Sequence, residues 1–219
     1  MNFSAGQIAV ISKHLEDQRG NLDQLRACAK AWGRHEDWPW NGFILSHATI
    51  GGSDNWSRIE EIYEDHFSWK SLNELDDSER QERFKNLGNP RYRARVAHWA
   101  AANFKKIEDH GGPKKARLAY EALQSANDRI KWVMSFSGFG LKYGRNIPMD
   151  GCDELVCNHC ALDHRLRKIL SIMGYPEVNY KCSEEMLIGL ANQLGIDAWT
   201  LDRLIYGQFQ QIKADLLSL

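Results

Sequence analysis

The sequence predicts an all-α protein, and three observations carry that prediction. Apolar residues recur at helical spacing in almost every segment long enough to show a period. Proline is scarce, at 5 of 219 residues, while good helix formers are abundant. No two neighbouring runs alternate as a pair of strands must. With 43% hydrophobic and 26% charged residues, the chain can bury a sizeable core as one large domain or two small ones.

The first helical pattern covers 5–32. There Ile8, Ile11, Leu15, Leu22, Leu25 and Cys28 share a face, on one helix or on two broken near Gly20. A polar joint, GRHEDW, leads to Pro39, a suitable first helical residue, and the apolar run that follows ends in a Gly-Gly-Ser loop. Trp56, Ile59, Ile62, Tyr63 and Phe67 predict a helix over 55–67. Asp76 or Asp77 is placed to cap a short helix ending at Leu87-Gly88. Pro90 and Gly111-Gly112-Pro113 bracket a helix over 90–110. One or two helices fill 114–136, the last of them over 127–136, and another starts near Gly140. LDHRLRKILSIM gives a helix over 162–173, and 183–194 and 197–215 complete the series.

Charge and composition narrow the function classes. The net charge of −1 gives no global basic field, so any nucleic-acid contact must come from a local patch. No run of 18 apolar residues exists, so no membrane span is expected. The opening MNFSAGQIAVISKHLEDQ turns polar too early for a signal peptide, which leaves the cytoplasm as the expected location. Five cysteines, an odd number in a chain this long, read as reduced thiols.

The most informative stretch is FSGFGLKYGRN, residues 136–146, which joins two of these helices. Gly138 can take a positive φ, and neither Gly138 nor Gly140 has a side chain to block close approach. Phe139 can anchor the turn in the core. The first amides of the second helix are then left pointing outward, where amide donors and the helix dipole favour a phosphate. Taken alone, the glycines equally describe an αα corner with no ligand.

The fuller pattern, apolar-x-Gly-apolar-Gly-x-Lys, resembles the helix-hairpin-helix motif of the DNA base-excision glycosylases, the HhH-GPD superfamily. The likeness is to its bifunctional, lysine-containing type. In that family the hairpin grips a phosphate of the damaged strand, and the lysine two residues after the second glycine is the nucleophile; here that residue is Lys142. The family's downstream aspartate falls at Asp163 in CALDHRLRKIL, 21 residues on. Two departures leave the chemistry alone: Ser137 stands where a proline is common, and Gly144 stands at the small-residue position of the helix start. His164 replaces the usual threonine or serine, which leaves the capping at that helix start open. Weaker flanking similarities in PWNGFILSHATIGGSDNW, LGNPRYRARVAHWAAANFKKIEDHGGP and LDRLIYGQF extend the resemblance over roughly residues 38 to 210.

The resemblance implies a two-lobed helical fold. A six-helix lobe covers about 38–148 with its hairpin at 136–141, residues 1–37 and 149–219 form the second lobe, and the cleft between them holds Lys142 on one wall and Asp163 on the other. It implies a DNA glycosylase with AP-lyase activity on an oxidised base. Cleaving an N-glycosidic bond builds positive charge on the sugar, which the Asp163 carboxylate would stabilise. A neutral Lys142 amine would attack the sugar, form a Schiff base and allow β-elimination. Gly138, Phe139, Gly140 and Arg145 would form the phosphate grip, and His47, or Asn55, would enter the gap left by a flipped base. The partner implied is double-stranded DNA carrying a damaged base or an abasic site, bound by a monomer. The four-cysteine loop of the iron–sulfur relatives is missing, which points by analogy to an 8-oxoguanine-type substrate; no cofactor is implied beyond a structural monovalent cation at the hairpin.

Other residues bear weighing. Trp38, Trp40, Trp199 and Tyr206 lie in segments that would border the cleft, and one aromatic should stack on the extruded base. Arg91, Arg93, Arg95, Lys105, Lys106, Lys114, Lys115 and Arg117 are a solvated face or a phosphate-tracking rim. Asn55 also suits a helix cap. Cys157-x-x-Cys160 has zinc-like spacing near Cys152, His159 and His164, but no second pair accompanies it. Two other functions follow from these features: a non-catalytic DNA-binding module that uses the hairpin only to hold phosphates, and a metal-binding regulatory protein built on the cysteines.

Overall fold

A computed structural model describes residues 3–52, 55–176 and 178–219. Among them are fourteen helices and no strand: α1 (Ala5–Arg34), α2 (Trp40–Ala48), α3 (Trp56–Glu61), α4 (Tyr63–His66), α5 (Trp69–Asn73), α6 (Asp77–Phe84), α7 (Arg93–Asp109), α8 (Pro113–Glu121), α9 (Ala126–Met134), α10 (Leu141–Asp150), α11 (His164–Ile172), α12 (Tyr180–Gln193), α13 (Ala198–Gly207) and α14 (Phe209–Leu217). The protein is all-α, in two compact units, Lys30–Gly151 and Met1–Ala29 with Cys152–Leu219.

The unit Lys30–Gly151 is built around α2, every residue of which except Gly42 is buried. Trp40, Phe43, Phe67, Phe84, Phe104 and Tyr120 supply an aromatic core. Its one buried tryptophan N–H on α2 is satisfied, since Trp40 Nε1 donates to the Phe67 carbonyl at 2.9 Å. A buried carboxylate joins the loop before α2 to α4 and α5: Asp37 Oδ2 accepts from Tyr63 Oη at 2.8 Å and from the Trp69 amide at 2.7 Å. Burial, with Asp37 alongside, holds the Tyr63 phenol well above the usual tyrosine range. Helices α9 and α10 form the expected hairpin. They approach closely because residue 144 is glycine; a Cβ there would stand 2.6 Å from Met134 Cγ and 3.2 Å from the Ile130 carbonyl oxygen.

The other unit packs α11–α14 with the first part of α1 around Ile11, Leu166, Ile169, Leu187, Leu201, Leu204 and Ile212. Polar ties hold α1 there. His14 Nε2 is 2.9 Å from Asp215 Oδ2. Arg26 donates to both oxygens of Asp197, at 2.8 and 2.7 Å, and lies 4.4 Å from the centre of the Trp199 ring. Asp197 also caps α13, accepting from the Thr200 amide at 2.9 Å. Its burial alone would raise the carboxyl pKa, but the bonds from Thr200 and Arg26 hold it below the usual value.

Several element boundaries differ from expectation for local reasons. Helix α1 runs unbroken through Gly20. The 55–67 pattern divides at Ile62 into α3 and α4, and 197–215 divides at Gln208 into α13 and α14, because the chain turns without changing its apolar spacing. Pro39 and Pro90 both lie outside the helices they precede; α2 starts at Trp40 and α7 at Arg93. Helix α5 is unforeseen and is capped by Ser68, and α12 starts at Tyr180 under an Asn179 cap. Asp76 makes a full capping box with Glu79.

Candidate active site

The hairpin is shaped from behind. Gly138 has φ +84°, and a Cβ there would meet Trp99 Cε3 at 2.7 Å and His47 Cε1 at 3.3 Å, so both the backbone and the space demand glycine. Phe139 is buried and stacks on His47, centroids 4.7 Å apart and planes 25° from parallel, with Phe43 5.1 Å away. Asn103 on α7 grips the turn at both ends of one residue. Its Oδ1 accepts from the Ser137 amide at 2.7 Å and its Nδ2 donates to the Ser137 carbonyl at 3.0 Å. The same Nδ2 is 3.0 Å from His47 Nε2. One turn along α7, Lys106 Nζ donates to the Ser135 carbonyl and hydroxyl, each at 2.7 Å, and sits 4.3 Å from the centre of the Phe136 ring. Partial burial lowers the Lys106 pKa from the ordinary lysine value.

The front of the hairpin is open. Gly140 is the N-cap of α10, with φ −99° and ψ −160° and no side chain capping it; the first helical bond runs from the Gly144 amide to the Gly140 carbonyl at 2.8 Å. The amides ahead of Gly144 therefore lie outside the helical ladder. Lys142 stands in this first turn, partly exposed, its Nζ 4.9 Å from the centre of the Tyr143 ring. Leu141 beside it is 45% exposed. Arg91, Arg93 and Arg95 are exposed at the start of α7, and Arg95 lies 5.8 Å from the Trp99 ring, which underlies Gly138.

Two expected DNA-contacting side chains are not placed to reach out. His47 is 0% exposed, and burial lowers its pKa to about 3, so it is a neutral support for the turn. Arg145 is buried, with Nη1 donating to the Leu141 carbonyl at 3.0 Å within its own helix. Asn55 stands at the N-cap of α3 without a capping bond and donates to the Leu87 carbonyl at 3.4 Å. Two hairpin carbonyls already have side-chain donors: that of Ser135 accepts from the Lys106 ammonium and that of Ser137 from the Asn103 amide.

In the other unit, Asp163 is the N-cap of α11. Its Oδ1 accepts from the Arg165 amide at 2.8 Å and the Leu166 amide at 3.1 Å, so the aspartate itself does the capping that His164 in place of threonine had left open. The three residues before it are fixed amide by amide. Cys160 N–H donates to Glu184 Oε1 at 3.2 Å, Ala161 N–H to Asp202 Oδ2 at 2.9 Å and Leu162 N–H to Tyr180 Oη at 3.0 Å. Tyr180 Oη returns a bond to the Cys160 carbonyl at 3.0 Å. Glu184 and Asp202 are both buried, the first 2.9 Å from His159 Nδ1, the second 3.2 Å from Arg203 Nη1.

Of the four aromatics considered, Trp38, Trp40 and Trp199 are buried, while Tyr206 is 56% exposed with the Arg165 guanidinium 4.1 Å from its ring centre. The cysteines do not converge. The Cys157 thiol, pushed up to about 12 by burial and by Cys152, neighbours Cys152, whereas Cys160 Sγ approaches the Ala198 carbonyl at 3.8 Å. Among the described residues no group of three or more His, Cys, Asp or Glu side chains is arranged to hold a metal ion. Nor is any helix among them long and apolar enough to cross a membrane.

No protein-family model matches the chain, and no curated protein sequence does. Solved structures do. The 8-oxoguanine DNA glycosylase of Methanocaldococcus jannaschii is similar with a TM-score of 0.70 at 14% identity, over 91% of each chain. That of Thermotoga maritima gives 0.67 at 18% identity, over 91% of this chain and 93% of that one. The M. jannaschii 8-oxoguanine glycosylase/lyase in complex with a 15mer DNA containing 8-oxoguanine gives 0.68 at 16% identity, over 89% and 94%. The all-α fold seen here is therefore the fold of these helical DNA glycosylases.

Proposed function

We propose that the protein is a base-excision DNA glycosylase with AP-lyase activity, acting on an oxidised purine of the 8-oxoguanine type in double-stranded DNA. One observation carries the reading: a fold shared with 8-oxoguanine glycosylases over nine-tenths of the chain presents a lysine, Lys142, in the first turn after an uncapped glycine hairpin. The amides of the hairpin and of that turn, Gly138 and Gly140 among them, bind a strand phosphate without reading sequence, and the exposed arginines at the start of α7 follow the backbone. The neutral Lys142 amine attacks C1′ of the lesion nucleotide as the N-glycosidic bond breaks and the base leaves. Asp163 stabilises the positive charge that grows on the sugar; one of its oxygens is tied down as a cap, which fixes the other's direction. The sugar ring opens to a Schiff base on Lys142. Loss of a C2′ proton then expels the 3′ phosphate and breaks the strand on that side of the lesion. The reading carries with it a monomer acting in the cytoplasm.

Incubation with an end-labelled duplex carrying one 8-oxoguanine tests this. Incision at the lesion with a β-elimination end, absent on the undamaged duplex, supports the proposal. Salt-sensitive binding with no incision of any oxidised-base or abasic duplex would leave a non-catalytic DNA-binding module instead.

A further inference from the structure

We propose that Lys106 and Asn103 are the hairpin's own clamp, and that phosphate binding at the hairpin takes no metal ion. The inference rests on the glycosylase reading for its ligand but on separate residues for its argument. Asn103 and Lys106 are three apart on α7 and so share a face. Asn103 is 1% exposed and spends both its donor and acceptor atoms on the two backbone groups of Ser137 and on His47. That pairing fixes the peptide immediately before Gly138, where the positive φ turns the chain. Lys106 brings an ammonium to the carbonyl of Ser135, the C-cap at the negative end of α9, and to the ring of Phe136. A carbonyl at a helix end, an adjacent hydroxyl and an aromatic face are the environment of a small cation, and here the chain fills it with its own side chain. A metal ion at the Ser135 carbonyl would be repelled by the ammonium already bound 2.7 Å from that oxygen.

Lys106 is on this account a positioning residue, and its signature is dependence on which cation is present. Fluorescence anisotropy of the full chain with a duplex carrying an uncleavable tetrahydrofuran abasic analogue reads it. The titration is run in potassium chloride, sodium chloride and tetramethylammonium chloride at equal ionic strength, so that counterion release is matched. The wild-type Kd should agree within about twofold across the three salts, with or without EDTA. In Lys106→Met the carbonyl of Ser135 is vacated, and binding in potassium should exceed binding in the bulky tetramethylammonium by about fivefold or more, while Lys106→Arg, which keeps a cation there, should show no such salt preference. A wild-type preference for potassium over tetramethylammonium of about tenfold would overturn the proposal. So would a Lys106→Met protein that shows no salt preference, since a merely structural lysine would weaken binding equally in all three. Absence of binding in every salt would remove the phosphate grip and the clamp together. Binding of the expected pattern without strand incision would overturn only the catalytic reading.

Discussion

His47 lies flat against Phe139, ring centroids 4.7 Å apart, while its Nε2 meets the amide group of Asn103 at 3.0 Å. The hairpin thus rests on an imidazole that must stay uncharged, and burial lowers its pKa to about 3. The sign follows from linkage. The unfolded state binds this proton below its ordinary value near 6.5 and the folded state does not until about 3, so the full stability is present above pH 6.5 and falls as the pH drops below it. Between pH 6.5 and 5 the contribution is about 2 kcal/mol. Thermal unfolding at pH 7 and pH 5 should show wild type losing more stability than His47→Leu. Equal losses would mean that the folded state protonates this ring freely.

The two hairpin glycines should separate stability from binding. At Gly138 a methyl group meets Trp99 at 2.7 Å with the backbone at φ +84°, so Gly138→Ala should cost about 1–3 kcal/mol in unfolding free energy. At Gly140 a methyl group would meet no atom within 4 Å and φ is −99°, so Gly140→Ala should fold as wild type. If the amides there grip a phosphate, the new methyl weakens binding to an abasic-analogue duplex while the melting temperature stays unchanged. Unchanged affinity would move the grip elsewhere.

Asp163 has two duties that substitutions can part. Asparagine caps a helix as well as aspartate does, so Asp163→Asn should stay within about 0.5 kcal/mol of wild-type stability, whereas Asp163→Ala loses about 1 kcal/mol. Base release should fall in both by roughly 100-fold or more, because both lack the charge that meets the developing cation. Single-turnover release of 8-oxoguanine checks the rate and denaturant unfolding checks the cap. Full activity in the asparagine variant would remove Asp163 from the mechanism.

Tyr206, 56% exposed under the Arg165 guanidinium, is the candidate platform for an extruded base. Tyr206→Ala should lower the rate of 8-oxoguanine release by about 10-fold or more and leave β-elimination at a preformed abasic site, which has no base to stack, near wild type. Loss of both in proportion would point to a general defect.

Much of this was legible in the sequence because it is local. Helical periodicity, the glycine pair with its lysine, and Asp163 at a helix start are each written within a few residues, and the all-α reading holds with the fold it implied. The misses are non-local or lie where spacing is silent. Asn103 and Lys106 act on residues 34 and 29 positions away, and nothing in AHWAAANFKKIED distinguishes them from surface polar residues of an amphipathic helix. Glu184, Asp202 and Tyr180 reach back to 160–162 from two later helices. His47 and Arg145 read as available polar groups because burial is not visible in a residue's type; only the packing of α2 and α10 within their unit reveals it. The breaks at Ile62 and Gln208 fall inside unbroken apolar patterns, where helix propensity gives no stop.

The central claim is that Lys142 is the nucleophile. Borohydride reduction during reaction with an 8-oxoguanine duplex, followed by mass mapping of the trapped peptide, tests it most directly. The account predicts a covalent protein–DNA adduct that maps to Lys142 and disappears in Lys142→Gln while that variant still binds the duplex. An adduct that persists in Lys142→Gln, or maps to another lysine, would contradict it.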